Sequence, residues 1–243
     1  MPIFQGAESS QHDVEDALAE VSQGIYKAFE NARELCREAE LLRSHGALCR
    51  SLFLHQISME ECGKIEILGA AAVSLIAGHE IQLSTVSAVA TRHRAKNDAN
   101  AYLLPLTNEE EAAAQSGDWQ RALQAFRQRQ ADFHAYSNKA KNASLYVDFS
   151  EQRFVAPGEA VSEEMVEALA SLNYHFLELA EPKVRMVARW LTDRDETRKT
   201  VVWFLGRAEE LKSQSDMDPR QALSLLMSEL RERHGIGGKS NSA

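Results

Sequence analysis

Two adjacent carboxylates, Glu60 and Glu61, precede Lys64 by four and three residues in the stretch MEECGK, residues 59–64. At those spacings either carboxylate can meet the ammonium on one turn of helix. Leu48, Leu52, Ile57, Ile65 and Leu68 recur around them at helical intervals, so the charges sit in a helix with a buried face. Charge in such a place is costly unless it is paired. A second group lies in RHRAK, residues 92–96, where His93 and Lys96 are three apart and share a helix face. A third is NASLYVDF, residues 142–149, with Tyr146 and Asp148, preceded by Lys139 and Lys141. These are the residue types of acid–base chemistry: a histidine able to give or take a proton near neutral pH, carboxylates to orient it, and lysines to hold an anion. Each has a structural alternative. Glu61 and Lys64 also fit a buried pair that fixes helix register, and Tyr146 and Asp148 also fit residues that lock an irregular segment onto its neighbours.

The elements that must position these groups are helices. Val14, Leu18, Val21, Ile25, Phe29, Ala32, Leu35, Ala39 and Leu42 keep a step of three or four, which predicts a long amphipathic helix over residues 12–45. Gly46 stops it, and a second helix runs over 47–77 to Gly78. Two long helices with so short a link lie antiparallel. A third helix starts near Ser84 and is ended by Pro105. Thr107 and Glu110 form a capping box for a short acidic helix that stops near Gly117, and Asp118 caps the next, over 119–143. The helical period then lapses. SLYVDF reads as a short strand with RFV as its hairpin partner, or as an extended segment packed on the bundle. Ser162 caps a further helix that Pro182 should kink or restart. Residues 196–213 and 219–234 complete the helices, the last with Asp218 as cap and Pro219 at its first position. Residues 1–11 and 235–243 read as a loose end and a disordered tail, leaving one helical domain over 12–234, with a core over about 12–192 and C-terminal helices over 193–234.

Composition narrows the function classes. Gly and Pro are scarce, 12 and 5 in 243 residues, which favours an all-α fold. A net charge of −9 argues against a broadly basic nucleic-acid surface and leaves room for a small basic pocket. Cys36, Cys49 and Cys62 form no CxxC pair and read as reduced thiols on apolar helix faces, in keeping with a cytoplasmic protein. The polar, acidic first residues are no targeting signal, and the most apolar run, 65–77, is too short to cross a membrane. A di-iron bundle needs Glu-x-x-His on two helices, and the chain has none. No Gly-rich loop between strand and helix offers a phosphate cradle. No metal or other cofactor is expected.

The motifs, taken in order, resemble a known family. The run NARELCREAELLRSHGALCRSLFLHQISMEECGKIEIL, then His93-x-x-Lys96, then Leu145, Tyr146, Val147 and Asp148, then Pro157 and the helix from Ser162, is similar to the AbiV family of phage abortive-infection proteins over roughly residues 28–175. AbiV proteins belong to the HEPN group of helical bundles (higher eukaryotes and prokaryotes nucleotide-binding). The resemblance implies a HEPN-like bundle, a homodimer, and a metal-independent endoribonuclease that acts on RNA of the translation machinery, whether rRNA, tRNA or mRNA. A phage-encoded activator or regulatory protein is an expected partner; membrane and DNA are not. The HEPN signature, an Arg and four to six residues before a His, is met by count at Arg50/His55 and at Arg129/His134, neither of which coincides with the His-x-x-Lys element.

Cleaving RNA without a metal uses the ribose 2′-hydroxyl as nucleophile. A base takes its proton, an acid protonates the leaving 5′-oxygen, and cations steady the phosphorane. The expected catalytic set is His93, Lys96, Lys64, Glu61 and Glu60, with Arg92, Lys139, Tyr146 and Asp148 binding substrate and Arg50, His55, Arg129 and His134 as secondary candidates. The rival expectation is a non-catalytic HEPN-like protein that blocks translation by binding a nucleotide or a protein. A third is a structural adaptor within a larger defence complex.

Overall fold

Gly46 takes φ +74°, a left-handed conformation open to glycine at no steric cost. With it the chain closes the first helix: Gly46 N–H donates to Arg43 O and Ala47 N–H to Leu42 O, both at 2.9 Å. In the computed structural model, which describes residues 11–150, 152–213, 225–226, 228–230 and 232–233, this turn joins α1 (Gln11–Ser44) to α2 (Leu48–Ile76). Both predicted long helices form. Residues 1–10 and 235–243 of the expected loose end and tail lie outside the described residues.

α2 is the axis of the bundle. Over Ser51–Gly63 it is buried on nearly every side: Ser51, Leu52, His55, Gln56, Ser58, Met59, Glu60, Glu61 and Cys62 are all inside. A helix enclosed this way draws the partners of its polar side chains from its neighbours. The single Ser58 hydroxyl proton is shared between Ala32 O of α1 at 2.7 Å and Asn173 Oδ1 at 2.9 Å. Asn100 donates to Met59 O at 2.7 Å. Around it Leu52, Met59, Cys62, Phe133, Val166, Leu169 and Phe176 make one apolar core, with the Phe133 and Phe176 rings edge to face at 6.2 Å. Cys36 and Cys62 are buried free thiols, Cys49 is partly exposed, and burial pushes Cys62 up to about 12.

The predicted third helix is in fact two. α3 (Leu83–Ala90) and α4 (His93–Ala101) are separated at Thr91 and Arg92, where Arg92 turns extended with ψ 121°. Thr91 Oγ1 donates back to Ala88 O, a side-chain bond that competes with helix continuation. The break puts His93 at the first position of α4 and lets that short helix cross α2 at its own angle. The crossing is close: a Cβ on Gly63 would lie 2.4 Å from Lys96 O, which is backbone. Gly63→Ala should therefore push α4 away and destabilise the fold by about 1–3 kcal/mol, read as a lower urea midpoint. An unchanged midpoint would mean that α4 does not seat on Gly63.

α5 (Asn108–Gln115) carries the predicted capping box on Thr107 and Glu110, and Asp118 caps α6 (Trp119–Leu145) through Arg121 N–H. β1 (Asp148–Ser150) and β2 (Arg153–Val155) form the antiparallel hairpin, with Phe149 opposite Phe154 and Gln152 at φ 64° in its turn. After α7 (Pro157–Ala160), α8 (Glu163–Thr192) runs through Pro182 without restarting. Ala180 and Val187 are buried on either side of the proline, and Lys183 pairs with Glu66 of α2. That packing offsets the lost backbone bond.

The chain divides into two compact units, 1–191 and 192–243. The second holds α9 (Arg194–Ser213), in which Arg207 donates twice to Glu229 at 2.9 Å. The described residues of the predicted 219–234 helix are helical, and its cap at Asp218 and Pro219 lies outside the described residues. Among the described residues no helix is long and apolar enough to cross a membrane.

A carboxylate-centred candidate site

Glu60 is where α2, α4 and α6 meet. Its side chain is 2% exposed, and Oε2 lies 2.7 Å from Lys96 Nζ and 2.6 Å from His93 Nδ1. Lys141 Nζ of α6 stands 3.6 Å from Oε1, an oxygen that has no hydrogen bond. Burial alone would raise the pKa of Glu60, but Lys96 and His93 more than offset this and hold it below the ordinary carboxylate value. One buried anion thus gathers three basic side chains in a chain whose net charge is −9.

The three bases differ in access. Lys96 is 8% exposed and Lys141 17%, so both are committed to the carboxylate, whereas His93 is 54% exposed. An ionised Glu60 accepts from His93 Nδ1–H. That fixes the tautomer and leaves Nε2, which carries no other bond among the described residues, as the basic nitrogen facing solvent. Arg92 and Lys139 are exposed, Arg92 next to His93 and Lys139 two residues before Lys141.

The remaining expected site residues fall elsewhere. Glu61 accepts both bonds from Lys64, at 2.7 and 2.9 Å, so the adjacent carboxylates serve separate pairs. Tyr146 is 62% exposed, and Asp148 accepts from the Phe149 N–H; neither locks the hairpin to the bundle. Arg50 is exposed while His55 is wholly buried, with Nδ1 3.1 Å from Asn173 and Nε2 3.0 Å from Glu40. Five residues on a helix turn the two side chains to different faces. Arg129 is bound to Leu104 O, Pro105 O and Glu110, tethering α5 to α6. His134 bonds Asn97 and Asn138, within a buried polar network that also takes in Ser137 and Gln56. Of the two Arg–His pairs counted in the sequence, His55, Arg129 and His134 are bonded within the bundle, while Arg50 is exposed.

Lys141 and Gly63 are the residues whose roles sequence reasoning missed. A signal for Lys141 exists: Phe133, Ser137, Ala140 and Ser144 mark the buried face of α6, and position 141 adjoins that face while 139 points away.

Acid should loosen the bundle in two stages. Burial holds the pKa of His55 below the ordinary histidine value, against the pull of Glu40. A folded-state pKa below the unfolded one means that the stability is complete above about 6.5 and lost as pH falls through the folded value. Glu60 has the same sign: its contribution is complete above about 4.3 and lost as pH falls through its lower folded pKa. The melting midpoint should drop first below about pH 6.5 and again below about 4.3, and His55→Asn should abolish the first drop. A wild-type midpoint that is flat from neutrality to mild acid would contradict a neutral, buried His55.

A family model described as AbiV matches residues 20–178, a span that holds Glu60, His93, Lys96, Lys141 and the hairpin. The "Uncharacterized protein y4gJ" of Sinorhizobium fredii is 32% identical over 154 residues, covering 62% of this chain and 80% of its own length. No solved structure matches the chain.

Proposed function

Since the chain belongs to the AbiV family of HEPN proteins, whose members are abortive-infection proteins, we propose that it is an antiphage effector acting as a metal-independent endoribonuclease. The observation that carries the reading is the Glu60–His93 pair: an exposed imidazole oriented through Nδ1, at 2.6 Å, by a buried carboxylate. In this role His93 Nε2 takes the proton of a ribose 2′-hydroxyl. Glu60 stabilises the imidazolium that results, its Oε2 already 2.6 Å from the ring nitrogen. Arg92 and Lys139 supply cations to the phosphate. The reaction also needs an acid for the leaving 5′-oxygen. A second copy of the chain, its His93 facing the first, would complete the pair and accounts for the expected homodimer.

The substrate under this reading is host rRNA, tRNA or mRNA in the cytoplasm, cut so that translation stops before phage is released. A toxin of this kind needs restraint, and a phage-encoded activator or a regulatory protein supplies the trigger. The purified protein, incubated with total RNA in excess chelator, should yield fragments ending in 2′,3′-cyclic phosphate and 5′-hydroxyl. RNA that stays intact in vitro and in cells while growth stops would sink the nuclease.

The second reading, a non-catalytic binding protein that blocks translation by contact, draws on two observations. The net charge is −9, and His55 and Arg129 of the two Arg–His pairs are bonded within the bundle. It expects intact RNA together with growth arrest that survives loss of His93.

A further inference from the structure

The hairpin that follows α6 leaves its rings in water. Tyr146 is 62% exposed, Phe149 61% and Phe154 74%, and Val147 beside them is 62% exposed. An isolated two-stranded hairpin is marginally stable in water, and a contiguous exposed apolar patch marks an interaction site more often than chance. This patch is ordered by its own geometry: Phe149 and Phe154 are cross-strand partners, so they share a face, with centroids 5.1 Å apart and planes at 63°. The contact fixes both rings and leaves π surface free.

Two features decide the class of partner. Three of the four exposed apolar side chains are aromatic, which suits flat ligands with a π face. The chain also sets them beside the cations: Tyr146 directly follows α6, whose last turns carry exposed Lys139 and the Lys141 that reaches Glu60. Within the hairpin Arg153 pairs with Glu159 at 2.8 Å, and Asp148 keeps its negative charge while accepting from the Phe149 N–H. A row of rings beside an exposed cation is the arrangement that holds unpaired nucleic acid, with bases on the rings and a phosphate on Lys139. We infer that the 146–155 hairpin is a nucleobase-stacking platform that selects unpaired RNA for the His93 site, an inference that rests on the ribonuclease reading above.

The test is binding of a short fluorescent 2′-O-methyl oligonucleotide, single-stranded and annealed to its complement, measured by anisotropy. The methylated strand cannot be cleaved, so affinity is read apart from chemistry. Phe149→Leu with Phe154→Leu keeps apolar bulk but removes both π faces; it should weaken single-strand binding about tenfold or more. Phe149→Tyr with Phe154→Tyr should stay near wild type, and the duplex should bind more weakly than the single strand. Both positions are exposed, and circular dichroism verifies that each variant is folded. Leucine variants that bind the single strand like wild type, or a wild type that shows no preference for it, would overturn the platform. So would a leucine variant whose only change is its sedimenting mass, since the hairpin would then be a protein contact. The two readings fail separately. Ring-dependent binding with the unmethylated strand left intact would remove the ribonuclease and keep the platform. Undiminished cleavage by the leucine variant would remove the platform and keep the ribonuclease.

Discussion

Replacing Glu60 with alanine is expected to cost about 3–5 kcal/mol of stability, a large share of the roughly 5–15 kcal/mol that holds a domain of this kind together. The reason is what the substitution leaves behind. Lys96 is 8% exposed and Lys141 17%, and the carboxylate is the anion that both face. Without it α4 carries an unpaired buried ammonium against α2, at a crossing already tight enough to exclude a Cβ at Gly63. Glu60→Leu combined with Lys96→Met should recover part of the loss, because a buried pair replaced as a whole by apolar groups is often neutral, whereas a broken one is not. Urea midpoints for the two single variants and the double would measure the coupling. A Glu60→Ala midpoint equal to wild type would show that Lys96 finds water or another acceptor, and Glu60 would no longer be the joint between α2 and α4.

Which parts of this arrangement the sequence discloses follows from how local each determinant is. The Thr107–Glu110 box, the Asp118 cap and the stop at Gly46 are decided within a few residues, and each forms as predicted; of the two readings open for SLYVDF and RFV the hairpin forms, with its first strand only at Asp148–Ser150 and Ser144 and Leu145 closing α6. The phase of a helix against its neighbours is not local. Glu60 and Glu61 are about 100° apart around α2. From the sequence either could meet Lys64; only the seating of α4 assigns Glu60 to His93 and Lys96 and leaves Glu61 to Lys64. The interruption at Thr91 and Arg92 escapes pattern reading for the same reason. Helical spacing continues across it, and what breaks the helix is the docking of α4 on α2 through Lys96, Asn97 and Asn100, all of them buried. At Pro182 the helix does not restart: packing on both sides offsets the bond that the proline removes. The Arg–His spacing counts residues and ignores direction, and five positions along a helix separate exposed Arg50 from buried His55.

Removing the imidazole at residue 93 should separate chemistry from architecture where Glu60→Ala cannot. His93 is 54% exposed, and Glu60 keeps Lys96 at 2.7 Å when the ring is gone; His93→Ala should therefore melt within a few degrees of wild type. Its rate of RNA cleavage should fall by a factor of about 10²–10⁴, the usual worth of a positioned general base. His93→Gln sharpens the test, since its amide N–H can still reach the carboxylate but has no basic nitrogen to offer. If orientation of the exposed nitrogen is what matters, the glutamine protein will be as stable as wild type and as inactive as the alanine protein. Phage protection should fall with cleavage in both. Should protection persist in a folded His93→Ala protein while RNA remains whole, growth arrest does not pass through this imidazole. The buried Glu60 cluster would then be the means by which a binding protein holds three helices in register.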